Sequence, residues 1–214
     1  MADHKRRILI LVEGGRTDLA LMRHLLDLYD IDAKYEIVAY STNIYELYRE
    51  MFDMNYTDIL LIFDLDPQAP DFSPEKIQQM ADYFIESSDM GKLYLNYPMV
   101  EAFYHMSSIP DAQYDSYFAS LVELRAGSYK RRVNLENRNH DYRKFAINRK
   151  ECNIVIRQNI DKAQSIANEP TSDCIPKQSH ILKSQLNLLS GEQKVAVLST
   201  CPFFIPDYNP ALIR

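Results

Sequence analysis

The sequence predicts an α/β fold in which a parallel sheet is flanked by helices. Short, uninterrupted apolar runs at residues 8–12 and 58–63 are typical of strands that are buried on both faces. Between them, Met22, Leu25 and Leu26 recur at the spacing of one helix face. Alternating strand and helix patterns of this kind indicate βαβ units, whose strands lie parallel in one sheet.

The first hundred residues contain four expected strands with helices between them. The strands are expected at Ile8–Val12, Tyr35–Tyr40, Asp58–Phe63 and Lys92–Leu95. The helices are expected to follow Thr17, to span Asn43–Phe52, to open at Ser73-Pro74 and to run from Pro98 to about Met106. Thr17 can act as a helix N-cap, and proline is well tolerated in a first turn, so these starts have a physical basis.

Beyond residue 107 the pattern becomes mainly helical, with helices expected over about 111–124, 141–166 and 177–189. The last apolar run, Val195–Leu198, is expected to return to the sheet. This organisation divides the chain into an α/β core (1–107), a helical, basic insertion or appendage (108–190) and a C-terminal strand and tail (191–214).

Composition excludes several classes of protein. The chain has 214 residues, 46% of them hydrophobic and 25% charged, which excludes disordered, collagen-like and low-complexity chains. Its three cysteines lie far apart, so neither a disulfide framework nor a zinc knuckle is expected. No apolar run approaches the roughly 18 residues of a membrane span, and the start MADHKRR does not resemble a signal peptide. We therefore expect a cytoplasmic protein without a membrane partner.

Charge is distributed unevenly along the chain. The net charge is -6, yet the segment 125–157 carries ten basic and three acidic residues, interleaved with Tyr129, Tyr142 and Phe145. Such a segment is typical of a surface that contacts a nucleic-acid backbone, although a solvated surface or a contact with an acidic partner fits the same pattern. The candidate phosphate contacts are Lys130, Arg131, Arg132, Arg143 and Lys144.

Carboxylates follow two of the expected strands. Glu13 comes directly after the first apolar run, and Asp64 and Asp66 follow the third. If the strand order is of the 2-1-3 type, these side chains share one crevice at the carboxyl edge of the sheet. Like charges gathered there favour a hard cation, and Mg²⁺ (or Mn²⁺) prefers carboxylate and water oxygens. Gly14 and Gly15 allow a sharp turn after Glu13.

These motifs resemble the Toprim domain, a Rossmann-like module that topoisomerases, primases and OLD-family nucleases share. The resemblance covers residues 6–107 and rests on Val12-Glu13-Gly14-Gly15 with Thr17-Asp18, and on Phe63-Asp64-Leu65-Asp66. It implies that Glu13 is a general acid or base and that Asp64 and Asp66 bind Mg²⁺. The expected catalytic residues are therefore Glu13, Asp64 and Asp66, which are also candidate metal ligands.

The segment 95–103 is similar to the Asn-Pro-x-x-Glu segment of RloB-like, stand-alone Toprim nucleases of phage defence, although Tyr97 here separates Asn96 from Pro98. This resemblance makes Glu101 a further candidate metal ligand. His105 shares a predicted helix face with Glu101, which is more often a surface hydrogen bond than a metal site. RloB-like proteins are often encoded with an ATPase, so the resemblance implies a toxin-like effector that works with such a partner.

The sequence thus predicts a Mg²⁺-dependent nuclease that hydrolyses phosphodiester bonds in RNA, for example tRNA, or in DNA. Two alternatives remain open. Phe63–Asp66 also resembles the first motif of haloacid-dehalogenase-type phosphatases, in which Asp64 would be a nucleophile and Asp66 a general acid. The other alternative is a non-catalytic scaffold subunit with the Toprim shape. Assembly into homo-oligomers is compatible with the sequence.

Overall fold

The computed structural model describes residues 6–40, 55–67, 69–86, 90–100, 102–105, 121–123, 146–169 and 175–213. The strands in these stretches are β1 (Arg6–Val12), β2 (Ala33–Ala39), β3 (Asp58–Asp64), β4 (Gly91–Tyr97), β5 (Leu121–Glu123), β6 (Lys194–Ala196) and β7 (Leu198–Ser199). The α-helices are α1 (Thr17–Leu28), α2 (Pro74–Glu86), α3 (Ala102–His105), α4 (Arg149–Ala167), α5 (Gln178–Glu192) and α6 (Phe204–Tyr208). Two 3-10 turns, Cys201–Phe203 and Pro210–Ile213, complete the C-terminal segment.

A mostly parallel five-stranded sheet of order β2-β1-β3-β4-β7 organises the fold. The strand β1 lies parallel to both β2 and β3, and β3 lies parallel to β4. Only the last pair, β4 with β7, is antiparallel. This order confirms the predicted α/β class and the 2-1-3 arrangement, which is consistent with a Rossmann-like fold.

Burial explains why the central strands form where they do. In β3, every residue except the last is buried, and in β1 the run from Ile8 to Val12 is buried throughout. Helix α1 packs Leu21 and Leu25 into the core with no exposed surface. Each such side chain contributes roughly 1.5–3 kcal/mol when it is fully buried, so the apolar runs dominate the stability of the sheet.

Helix starts agree with the expectations in part. The helix predicted at Ser73-Pro74 begins at Pro74, and its face with Ile77, Met80 and Phe84 is buried. Thr17 is the first residue of α1 rather than its cap, because Arg16 occupies the N-cap position. The predicted helix Asn43–Phe52 lies outside the described residues.

The helix predicted over 141–166 begins later than expected where the structure describes it. Residues 146–148 are not helical, and α4 begins at Arg149. Asn148 sets this start because its Oδ1 accepts the backbone N–H of Glu151 at 3.0 Å, which satisfies one of the free donors of the first turn.

Two predictions beyond residue 107 were wrong in detail. The stretch predicted as a helix over 111–124 ends in strand β5, which pairs antiparallel with β6. The apolar run Val195–Leu198 returns to the main sheet only at Leu198, in β7, because its first residues lie in β6 and join the small β5–β6 sheet. In both cases a partner distant in the sequence decides the structure, and local periodicity does not report such a partner.

Helix α4 carries a buried lysine. Its apolar face includes Val155, Ile156 and Ala163, which have no exposed surface, and Lys162 lies among the buried residues with only 1% of its surface exposed. Burial lowers the pKa of Lys162 to about 7.

Within the described part of the chain, no helix combines the length and the apolar character needed to cross a membrane.

The buried Lys162 makes stability depend on pH. The pKa of a lysine in an unfolded chain is about 10.4. Between about pH 7 and pH 10, residue 162 therefore carries a proton in the unfolded state that it lacks in the folded state. The free energy of unfolding therefore rises with pH over this interval. Lys162→Met removes this titration, so we expect the free energy of unfolding of the variant, minus that of the wild type, to fall by about 1 kcal/mol per pH unit between about pH 7 and pH 10.

Chemical denaturation at several pH values measures this effect as the difference between the variant and the wild type, which removes the contribution of other groups. Lys183→Met, at an exposed position of α5, is the matched control, and its difference in stability from the wild type should stay nearly constant with pH. A Lys162→Met difference that stays constant between about pH 7 and pH 10 would contradict this prediction.

Candidate functional site

Polar side chains meet at the carboxyl edge of the three central strands. Glu13 directly follows β1, Asp64 is the last residue of β3, and Asn96 lies one residue before the end of β4. Since β1, β3 and β4 are neighbours and parallel, their polar ends share one edge. The register places Asp64 directly opposite Asn96. This edge is where ligands bind in open parallel sheets.

Hydrogen bonds connect these three residues. The backbone N–H of Asp64 donates to Glu13 Oε2 at 3.2 Å. The side-chain amide of Asn96 donates from Nδ2 to Asp64 Oδ1 at 2.9 Å. Glu13 and Asp64 therefore lie close together, as the strand order led us to expect, and Asn96 is a residue of the site to which sequence reasoning gave no role.

The electrostatic environment opposes ionisation of Asp64. Burial raises the pKa of Asp64 well above its usual range, and the nearby carboxylates of Asp18 and Glu13 raise it further. Hydrogen bonds from Asn96 and from the backbone of Val100 act on this pKa in the opposite direction. Like charges at this distance repel each other, so a bound cation would stabilise the arrangement.

Asp18 is the carboxylate that sequence reasoning did not assign to the site. It lies in the first turn of α1 and is 5% exposed. A β-carbon placed on Gly14 would overlap the Asp18 carboxylate, so any other residue at position 14 would displace the Asp18 side chain from the place it occupies here. The sequence signal was present, because an acidic residue that follows a Gly-Gly turn falls at a helix N-terminus, where its charge is favourable.

The remaining predicted site residues are placed less completely. Asp66 is half-buried and follows the end of β3 by two residues, in a turn where the backbone N–H of Ala69 donates to its carbonyl at 3.0 Å. Its role in catalysis and in metal binding stays a prediction. Glu101 and the side chain of His105 lie outside the described residues, as do Lys130, Arg131, Arg132, Arg143 and Lys144.

Two arginines of the basic segment stabilise the fold. Arg149 donates from Nε and Nη2 to the carbonyl of Leu212 at 3.1 and 2.8 Å. Arg157 donates to the carbonyl of Ile213. These side chains hold the C-terminal 3-10 turn against α4, so the positive charge of the segment 125–157 is not reserved entirely for a ligand.

The donor chemistry of the edge fits a hard divalent cation. Glu13 is exposed and Asp64 is partly exposed, and both offer carboxylate oxygens. Across the described stretches, no group of three or more His, Cys, Asp or Glu side chains is arranged to hold a metal ion. Mg²⁺ is usually bound through one or two carboxylates and keeps several waters, so the pair Glu13 and Asp64 meets its ordinary requirement.

The contrast between Gly14 and Gly15 tests the close approach of Asp18. Neither glycine has a positive φ, so alanine fits both backbones. At Gly14 the new methyl group meets the Asp18 carboxylate, and we expect destabilisation by about 1–3 kcal/mol. At Gly15 the nearest atom is Ala39 Cβ at 3.8 Å, an ordinary contact, so Gly15→Ala should be neutral or slightly stabilising. Thermal unfolding of the two variants checks this; equal midpoints would contradict the assigned contact.

Comparison of the chain with protein-family models, with curated proteins and with solved structures finds no match. The geometry of the chain itself therefore defines the site. That geometry is a mostly parallel α/β sheet with Glu13, Asp64 and Asn96 joined at its carboxyl edge and with Asp18 beside them.

Proposed function

We propose that this protein is a cytoplasmic, divalent-metal-dependent nuclease that hydrolyses phosphodiester bonds. The observation that carries the proposal is the closeness of Glu13 and Asp64 at the carboxyl edge of the sheet, with the charge of Asp18 near them. When these groups are ionised they repel one another unless a cation balances them, and carboxylate-held Mg²⁺ or Mn²⁺ is common in phosphoryl chemistry.

Metal binding and proton transfer would be divided between Glu13 and Asp64. Asp64 and Glu13 would hold Mg²⁺ through their carboxylate oxygens, with water in the remaining positions. When bound, Mg²⁺ stabilises the negative charge that develops on phosphoryl oxygens and makes a coordinated water more acidic. Glu13 is exposed beside Asp64, so its carboxylate is the group that can accept a proton from the attacking water or return one to the leaving oxygen.

Two features of the sequence support a nucleic-acid substrate and an ATPase partner. The basic segment 125–157, with Lys130, Arg131, Arg132, Arg143 and Lys144, supplies positive charge for a nucleic-acid backbone. RNA, including tRNA, and DNA both fit this charge. The likeness of segment 95–103 to RloB-like proteins favours a toxin-like effector in anti-phage defence that works with an ATPase. Asp66 and Glu101 are retained as further candidate metal ligands on the same ground.

A non-catalytic scaffold explains the site less well. Carboxylates that repel one another at a partly buried edge lower stability when no cation is present. A haloacid-dehalogenase-type phosphatase would use Asp64 and Asp66 but would leave Glu13, Gly14 and Asp18 without a role.

A cleavage assay tests the proposal. Purified protein is incubated with Mg²⁺ or Mn²⁺ and, separately, with plasmid DNA, total tRNA and a small phosphomonoester. We expect metal-dependent cleavage of one nucleic acid, lost by at least about 100-fold in Asp64→Asn and in Glu13→Gln, because several kcal/mol of transition-state stabilisation disappear with the metal or the proton acceptor.

Asp27→Asn is the matched control, because Asp27 is exposed on α1, about two and a half turns from Asp18. It should cleave like the wild type. Absence of cleavage of both nucleic acids would contradict the proposal, and release of phosphate from the monoester alone would favour the phosphatase.

A further inference from the structure

A chain of buried hydrogen bonds runs from helix α4 to the carboxylate of Asp64. The Asn159 side chain accepts the backbone N–H of Ser199 at 3.0 Å, and the Ser199 hydroxyl donates to Asn96 Oδ1 at 2.8 Å. Asn96 in turn donates from Nδ2 to Asp64 Oδ1 at 2.9 Å. Asn96, Asn159 and Ser199 have no exposed surface, so water does not compete for these bonds.

The Ser199 hydroxyl satisfies the oxygen end of the Asn96 amide. A hydroxyl can donate or accept, whereas an ionised carboxylate only accepts, so Asp64 is the group that requires the Nδ2 end of the amide to face it. With Nδ2 toward Asp64, the buried Oδ1 end accepts the hydrogen bond that Ser199 donates and is held in place by it. The backbone carbonyl of Asn96 accepts the backbone N–H of Leu65 at 2.9 Å, which fixes the residue next to the end of β3.

The backbone of Ser199 is itself held from two sides. Asn159 orients its own side chain by donating from Nδ2 to the carbonyl of Val155 at 2.9 Å. On the other side, the neighbouring Thr200 hydroxyl accepts the N–H of Leu95 at 2.8 Å and lies 2.8 Å from the Leu95 carbonyl. These hydrogen bonds hold the C-terminal end of β7 against β4, beside the carboxylate site.

We propose that Ser199 is a positioning residue for the metal site, which acts on Asp64 through Asn96. The inference rests on the proposed metal-dependent function and adds to it the role of the C-terminal segment. Ser199 touches neither metal nor substrate. Its hydroxyl holds the Asn96 amide so that one oxygen of Asp64 is occupied and the carboxylate keeps a single orientation toward the cation.

Calorimetric titration of the full chain with Mn²⁺ tests this role without any need for turnover. Ser199→Ala is expected to weaken Mn²⁺ binding by about tenfold, the usual effect of removing a partner that orients a metal ligand. Ser199→Thr keeps the hydroxyl and should bind Mn²⁺ nearly as the wild type does. Thr200→Val removes the adjacent buried hydroxyl, which bonds to the backbone of Leu95 instead of Asn96, and should not change Mn²⁺ affinity.

The Thr200→Val control separates positioning from general loss of stability, because both substitutions remove one buried hydroxyl from the same strand end. If the wild type binds Mn²⁺ and Ser199→Ala binds it equally well, the positioning role is overturned while the proposed function stands. Equal weakening in Ser199→Ala and Thr200→Val overturns it as well. A wild-type protein that does not bind Mn²⁺ overturns the metal-dependent function together with this inference.

Discussion

Burial of β1 and β3 on both faces determines where polar side chains can lie in the sheet. Strands in this position cannot carry polar side chains along their length, so their polar residues occur only at the ends. Because the strands are parallel neighbours, Glu13 and Asp64 emerge at the same edge. The apolar runs that stabilise the sheet are therefore also the reason that carboxylates gather at one place.

This gathering lowers stability locally and has structural supports. Asp64 is opposed by burial and by the charges of Asp18 and Glu13, and it is held by hydrogen bonds from Asn96 and Val100. Glycine at position 14 has no β-carbon, so it leaves space for the Asp18 carboxylate. A site whose parts repel one another and whose backbone is adapted to bring them together is typical of function in preference to stability.

The sequence was sufficient to predict the centre of the sheet, since the runs 8–12 and 58–63 report burial directly and βαβ alternation implies parallel neighbours. From these two facts the meeting of Glu13 with Asp64 follows. The sequence was not sufficient for Ser199, because a small polar residue in a C-terminal strand carries no periodic signal of its partner. The same reason explains the error at β5, where pairing with β6 overrides local helical spacing. Asp18 was within reach, since it follows the Gly-Gly turn at a helix start.

A crystal structure of the full chain grown with Mn²⁺, with the metal located by its anomalous scattering, tests the central claim most directly. We expect one Mn²⁺ ion at the carboxyl edge of the sheet, bonded to carboxylate oxygens of both Glu13 and Asp64. Strong anomalous density elsewhere in the protein, or none at this edge at a saturating metal concentration, would contradict it.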